Sequence, residues 1–190
     1  MKVLEKTYES LDIAKKDFDE FINSHESIKC KKGTYLLKEY QTSHCYYILV
    51  EGFVRSYVID YLGNEQTTEL YLPNDLVIDE ASLFHLMPTQ ENFVCMSDCI
   101  LWKIELENFN RFYTQFPEVS EWGRRWMSYQ LLLNKQFKID LIKESAQFRY
   151  LKLINNRPNI LQMVPLKYIA SYLGITDTSL SRLRKELIQK

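Results

Sequence analysis

Near its C-terminal end the sequence sets Thr178, Ser181, Arg182 and Lys185 on one side of a helical stretch, opposite Leu180, Leu183 and Leu187. Those residue types at that spacing suit one chemistry. On a helix lying in the major groove of duplex DNA, a guanidinium such as that of Arg182 bonds bidentately to guanine O6 and N7, worth roughly 1–3 kcal/mol of base discrimination. The hydroxyls of Thr178 and Ser181 suit base edges or thymine methyls. Lys167, Arg184 and Lys185 suit phosphates, which position a protein without reading sequence. Ser171, Thr176 and Ser179 complete the set of candidate DNA-contacting residues.

Two helices must hold that face in place. In the segment from Val164 to Leu187, Pro165 suits a helix start, and Leu166, Ile169, Ala170 and Leu173 form one apolar stripe. Gly174 supplies the permissive backbone of a tight turn, Ile175 fills the corner, and Thr176 is placed to cap the second helix through the amide of Thr178 or Ser179. Lys167 and Ser171 turn away from the first stripe, and the small Ala170 lets the helices approach closely. This is helix-turn-helix spacing. A purely structural helical hairpin with solvated basic residues is the alternative.

Charge distribution bears on that choice. Residues 146–190 hold eight basic residues, Lys190 among them, against two acidic ones, a net of +6, so a chain of net charge −1 leaves −7 on its first 145 residues. An acidic body with a basic end piece suits a polyanionic partner.

Other chemistries find little support. The four cysteines (Cys30, Cys45, Cys95, Cys99) form no CxxC pair, and the three histidines are scattered, so neither a metal site nor a cofactor is expected. Cys95 and Cys99 read as one face of a single strand, too far apart to meet. No P-loop, GxSxG or GxGxxG occurs, and no catalytic role is expected. The opening MKVLEKTYESLDIAKKDF lacks an apolar signal core, and no run of 18 apolar residues occurs, so a cytoplasmic protein without membrane contact is expected.

The rest of the chain divides by periodicity. LDIAKKDFDEF (11–21) has helical spacing with Ser10 as a cap. From about 27 to 104, the runs TYLLK, CYYILV, FVRSYVI, QTTELYL, ENFVCM and CILWKI alternate with turn signals, which predicts an antiparallel sandwich, barrel or jelly roll with a hairpin tip at Asp60–Asn64. After Pro117 the pattern is helical to about Glu144, with Trp122, Trp126, Tyr129, Leu133 and Phe137 on one stripe, the candidate dimer interface. Met127, Leu131, Leu132, Ile139 and Ile142 lie on other faces, and a helix apolar on several sides is expected to be covered by its own domain and by a twin helix. AQFRYLKLI begins another helix, which Pro158 ends.

With Gly33, CYYILVEGFVRSY, the Gly63–Asn64 hairpin, IDEASLF, the long helix, AQFRYLKLI and VPLKYIASYLGITDTSLSRLRKEL in this order, nearly the whole chain resembles the Crp/Fnr family of bacterial regulators. The resemblance implies an α+β protein. Residues 1–117 would be a cyclic-nucleotide-binding-like β-roll, 118–145 a long dimerisation helix, and 146–190 a winged-helix-like helix-turn-helix domain. It implies a homodimer on palindromic double-stranded DNA, with RNA polymerase as a further partner and the effector left open.

The chain departs from the family's cyclic-AMP binders at the phosphate site. Those have Gly-Glu and, after a short loop, Arg-Ser or Arg-Thr; aligned on that pattern, Asp79 takes the glycine's place, Glu80 the ribose carboxylate's, Gln90 the arginine's and Glu91 the hydroxyl residue's. A phosphate would meet acid where it needs a guanidinium, and at an effective dielectric of about 20 a unit charge near 4 Å is worth roughly 4 kcal/mol. Cyclic AMP is therefore not the expected ligand. Tyr40 also stands where a glycine is usual. The reading is a DNA-binding transcription regulator without a cyclic-AMP response, with a small-molecule-binding module acting through protein contacts as the alternative.

Overall fold

A computed structural model describes residues 1–188; Lys190, counted in the basic end piece, lies outside the described residues. The β-branched and aromatic runs form β1 (Glu26–Cys30), β2 (Tyr35–Leu37), β3 (Cys45–Glu51), β4 (Val54–Ile59), β5 (Glu65–Tyr71), β6 (Leu76–Val77), β7 (Asn92–Cys95) and β8 (Cys99–Glu105). They pair antiparallel in two four-stranded sheets of order β1-β8-β3-β6 and β2-β7-β4-β5, the jelly-roll arrangement. Leu49, Val54, Phe93 and Leu101 pack in the core they share. At the hairpin tip the Asp60 N–H donates to the Asn64 carbonyl at 2.9 Å, and the Asp60 carboxylate accepts from the Leu62 and Asn64 amides at 2.9 Å each. Tyr40 keeps the left-handed backbone (φ 68°) that a glycine would adopt freely, and its N–H donates to the Thr89 carbonyl at 2.8 Å.

Helices flank the roll. α1 (Lys2–Thr7) precedes α2, which spans Lys15–Asn23 rather than 11–21 and is entered from Ala14 with no side-chain cap, so Ser10 does not cap it. Leu11 still points inward, but as part of the linker between the two helices. The segment IDEASLF holds α3 (Glu80–His85), and α4 (Leu106–Gln115) leads into α5 (Pro117–Lys143), 27 residues long with its proline in the first turn. α6 (Ala146–Asn156), α7 (Ile160–Met163), α8 (Leu166–Tyr172) and α9 (Asp177–Ile188) follow. The Ser145 hydroxyl caps α6 by accepting from the Phe148 amide at 3.2 Å. Asp140 joins α5 to α6, taking an ion pair from Lys152 at 2.5 Å and a hydrogen bond from Gln136 at 2.7 Å, and the Lys152 bond holds its carboxyl below the usual carboxylate range.

Cys95 and Cys99 do not share a strand. They end β7 and begin β8, in different sheets, and both are buried in the core the sheets share, with Cys30 opposite Cys99 in register. Four-residue spacing reads as one extended face only where the backbone does not fold back. Among the described residues, no three His, Cys, Asp or Glu side chains are grouped to hold a metal ion, and no helix is long and apolar enough to cross a membrane.

The N-terminal helices close one end of the roll through a buried polar relay. His25 Nδ1 lies 3.0 Å from the Phe21 carbonyl, which only accepts, so Nδ1 carries the proton. Nε2 then accepts from the Tyr8 hydroxyl at 3.0 Å, and Tyr8 accepts from Tyr46 at 2.8 Å. Burial lowers the His25 pKa to about 4. The unfolded chain takes up this proton near pH 6.5 while the native state refuses it down to about pH 4. The contribution of His25 is thus complete above pH 6.5 and is lost as pH falls to 4, on the order of 3 kcal/mol. Urea denaturation across that range should show a shallower pH slope for His25→Phe than for the parent. Equal slopes would show that His25 titrates normally in the folded state.

Candidate functional site: the helix pair and the roll cavity

The helix pair is held from beneath. Ile169, Ala170, Leu173 and Leu180 are buried with Tyr150, Ile160 and Val164, and Leu183 and Leu187 pack against them. Gly174 makes the turn at φ 68°, and the Ile175 N–H donates to the Ala170 carbonyl at 3.0 Å. Thr176 Oγ1 accepts from the Ser179 amide at 3.2 Å, choosing between the two capping partners the sequence left open. Thr178, Ser179, Ser181, Arg182 and Lys185 are exposed along α9, Arg184 is half-buried, and Lys167 is exposed on α8. Every described element from Leu106 to Ile188 is a helix.

Ser171 lies elsewhere than a free outer face. Its hydroxyl accepts from the Thr67 backbone N–H of β5 at 2.8 Å, because α8 is docked on the β-roll. Two further contacts build this seam. Arg55, 2% exposed, lies between the rings of Tyr57 (4.6 Å) and Tyr168 of α8 (4.4 Å), and it donates to Thr67 Oγ1 at 2.8 Å and to Glu65 at 2.5 Å. Arg157, at the end of α6, donates to the Leu70 carbonyl at 2.5 Å and pairs with Asp75 at 3.2 Å.

Beside the seam, a cavity of about 280 Å³ opens between the roll, α5 and α6. Asp79, Glu80 and Glu91 line it; Gln90 is exposed and is not among the lining residues. Asp79 fills its position by capping α3, accepting from the Ser82 amide at 3.0 Å and from the Thr89 hydroxyl. Glu91 accepts from Thr68 Oγ1 at 3.1 Å. Sequence reasoning missed Glu69, Asp75 and Arg157, which also line the cavity. Burial pushes the Glu80, Glu91 and Asp75 carboxyls up, and that of Glu69 to about 6, with Arg157 drawing Glu69 and Asp75 back down.

The long-helix stripe is divided between the body and solvent. Trp122 packs on Tyr8 with ring centroids 4.8 Å apart and donates to the Thr7 carbonyl at 3.2 Å, and Trp126 joins the same cluster. Phe137 stacks on Tyr172 at 5.0 Å, while Tyr129 and Leu133 are exposed. Leu131, Leu132 and Ile142 are exposed on the remaining faces.

The sequence of residues 27–116 matches the cyclic nucleotide-binding domain family. The wider fold, roll with long helix and helical end piece, is similar to that of solved Crp/Fnr-type regulators. It is similar to FixK2 from Bradyrhizobium japonicum (TM-score 0.75, 16% identity, 87% of this chain and 85% of that one). It is also similar to a CooA mutant from Carboxydothermus hydrogenoformans (0.70, 16%, 98% and 84%) and to the Catabolite Activator Protein of Thermus thermophilus (0.60, 17%, 96% and 86%). At these identities the likeness is one of fold. No curated protein matches the sequence.

The cavity is acidic where a phosphodiester would call for cationic donors. Five carboxylates (Glu69, Asp75, Asp79, Glu80, Glu91) meet the cavity, and its one guanidinium, Arg157, is engaged with Asp75 and the Leu70 carbonyl. A phosphodiester there would lack free cationic donors and meet like charge.

The seam predicts its own sensitivity. Arg55→Ala removes a buried guanidinium together with both ring contacts and should cost about 2–4 kcal/mol in urea denaturation. Hydrogen exchange at the Thr67 amide should accelerate with it. A stability loss with unchanged Thr67 exchange would place the role of Arg55 within the roll alone.

Proposed function

We propose that the chain is a homodimeric, sequence-specific DNA-binding transcription regulator of the Crp/Fnr type that does not respond to cyclic AMP. The observation that carries this reading is the face of α9, where Thr178, Ser179, Ser181, Arg182 and Lys185 stand exposed on a helix whose opposite side is buried. Arg182 reads a base edge and Lys167, Arg184 and Lys185 meet phosphates. Ser171, engaged with β5 in this arrangement, reaches a phosphate only if the seam opens.

The dimer rests on α5. Leu131, Leu132 and Ile142 are 70%, 60% and 86% exposed, more apolar surface than a solitary helix leaves in water, and a second copy of the helix covers it. Two copies place their recognition helices in successive major grooves about 34–36 Å apart, which calls for a palindromic operator. RNA polymerase is the natural further partner of a regulator bound at a promoter. The acidic cavity supports the absence of a cyclic-AMP response.

Selection of binding sites from random duplex DNA, followed by mobility shifts, tests the reading. The wild type should select a two-fold symmetric site, and Arg182→Ala should lose about 1–3 kcal/mol of discrimination at one base pair of each half-site. Lys167→Ala should weaken all sequences alike and reduce the salt slope by about 1. A wild type that selects no site would refute sequence-specific binding. Undiminished preference in Arg182→Ala would remove that residue from base readout.

A further inference from the structure

Cys30 and Cys99 occupy one rung of the β1–β8 ladder. Directly opposed residues of an antiparallel pair direct their side chains to the same face. Their Cα atoms stand about 4.5–5.5 Å apart, and a disulfide spans about 4.4–6.8 Å between Cα atoms. The rung therefore meets the spacing of a cross-strand bond without movement of the backbone. The neighbouring rung on this face is Ile28 and Leu101, aliphatic as a core rung demands. Leu101 and Cys99 are buried in the core that Ile28 and Cys30 flank, and both thiols of the rung are free.

The two thiols differ in access. Cys30 is half-buried where β1 runs into the exposed turn of Lys31, Lys32 and Gly33, whereas Cys99 is 2% exposed. An oxidant in solution meets Cys30 first, and Cys99 is placed to resolve what forms there. Burial raises the Cys30 thiol, so its thiolate is the minor form at neutral pH and the first step is slow. Cys99 lies against the turn of Gly52 and Phe53. Its sulfur is 3.3 Å from the Ser97 carbonyl and 3.6 Å from the Phe53 carbonyl, and a Cβ at Gly52 would stand 2.6 Å from it. Phe53 is buried with Ile169 of α8, its ring 6.4 Å from that of Tyr168. The rung thus sits directly beneath a contact between the roll and the helix pair.

We propose that Cys30 and Cys99 are a redox modification site, which a small organic disulfide converts to a reversible cross-strand disulfide. The Cys30 thiolate attacks one sulfur of the oxidant, forming a mixed disulfide as one thiolate leaves. The Cys99 thiolate then attacks the Cys30 sulfur and expels the second thiolate. The two cysteines lose two protons and two electrons, and the oxidant is reduced to two thiols. Cys95, on the other sheet, stands opposite Val54 and takes no part. The inference is independent of DNA binding and of what occupies the roll cavity.

Equilibration of the reduced, native full chain in buffers of glutathione and glutathione disulfide tests it, followed by acid quenching, alkylation and peptide mass mapping. Oxidising buffers should yield a chain lighter by two hydrogens with Cys30 and Cys99 in one linked peptide pair, and dithiothreitol should restore both thiols. The bond closes a long loop of the unfolded chain and should raise the melting temperature on the order of 5 °C. Cys30→Ala, at a half-buried strand end, should abolish the cross-link and the rise while melting close to the reduced parent, which separates a lost bond from a lost fold. Cys45→Ala and Cys95→Ala should retain the cross-link. The proposal is overturned if the native chain forms no internal cross-link, or if Cys30 stops at the mixed disulfide with glutathione. It is equally overturned if the linked pair includes Cys45 or Cys95, or if the link forms only in urea.

Discussion

Thr67 is the point at which the two halves of the chain meet. Its backbone N–H donates to Ser171 of α8, and its hydroxyl accepts from Arg55, whose guanidinium lies between a ring of the roll and a ring of the helix pair. A guanidinium so far from water is tolerable only with its donors directed and its faces covered, and the seam supplies both. Removing α8 would uncover one face of Arg55 and orphan the amide of Thr67. The position of the helix pair and the satisfaction of β5 are therefore one physical condition.

That condition explains what the sequence disclosed and what it withheld. The six strand runs with dense β-branched and aromatic residues and glycine-marked turns were legible because period-2 patterning and turn chemistry are local. β1 was not, because ESIKC at the sheet edge is mostly exposed and carries no alternation strong enough to see. α1 is six residues long, and its buried member Leu4 and neighbouring Tyr8 acquire meaning only in the cluster with Phe21, Tyr46 and Trp122, the last more than a hundred residues away. The helical wheel placed Ser171 correctly relative to its own helix. Which surface that side then met was decided by β5, 104 residues away in sequence.

The candidate cavity shows the same division. Asp79, Glu80 and Glu91 were reached through the family pattern, and the structure adds why Asp79 is tolerated where a glycine is usual: its carboxylate caps α3. Gln90, drawn from the same pattern, turns out to solvent. Arg157 carried no local signal beyond a basic residue before Pro158, and its partner Asp75 is 82 residues away. Cys95 and Cys99 were misplaced for a related reason: a short bend moved them from one strand to two sheets, and no periodicity reports a bend of that length.

The cavity and the seam are not independent features. Glu69, on β5 two residues from Thr67, lines the cavity; Arg157 balances Glu69 and Asp75 while donating to the Leu70 carbonyl of the same strand. Withdrawing Arg157 with the helical end piece would leave the cavity more negative and Glu69 and Asp75 without their counter-charge. Ionisation of those carboxylates and docking of the end piece change each other's free energy, and by linkage the two changes are equal. The carboxylates of the roll interior and the guanidinium of Arg157 thus connect that interior physically to the helical end piece.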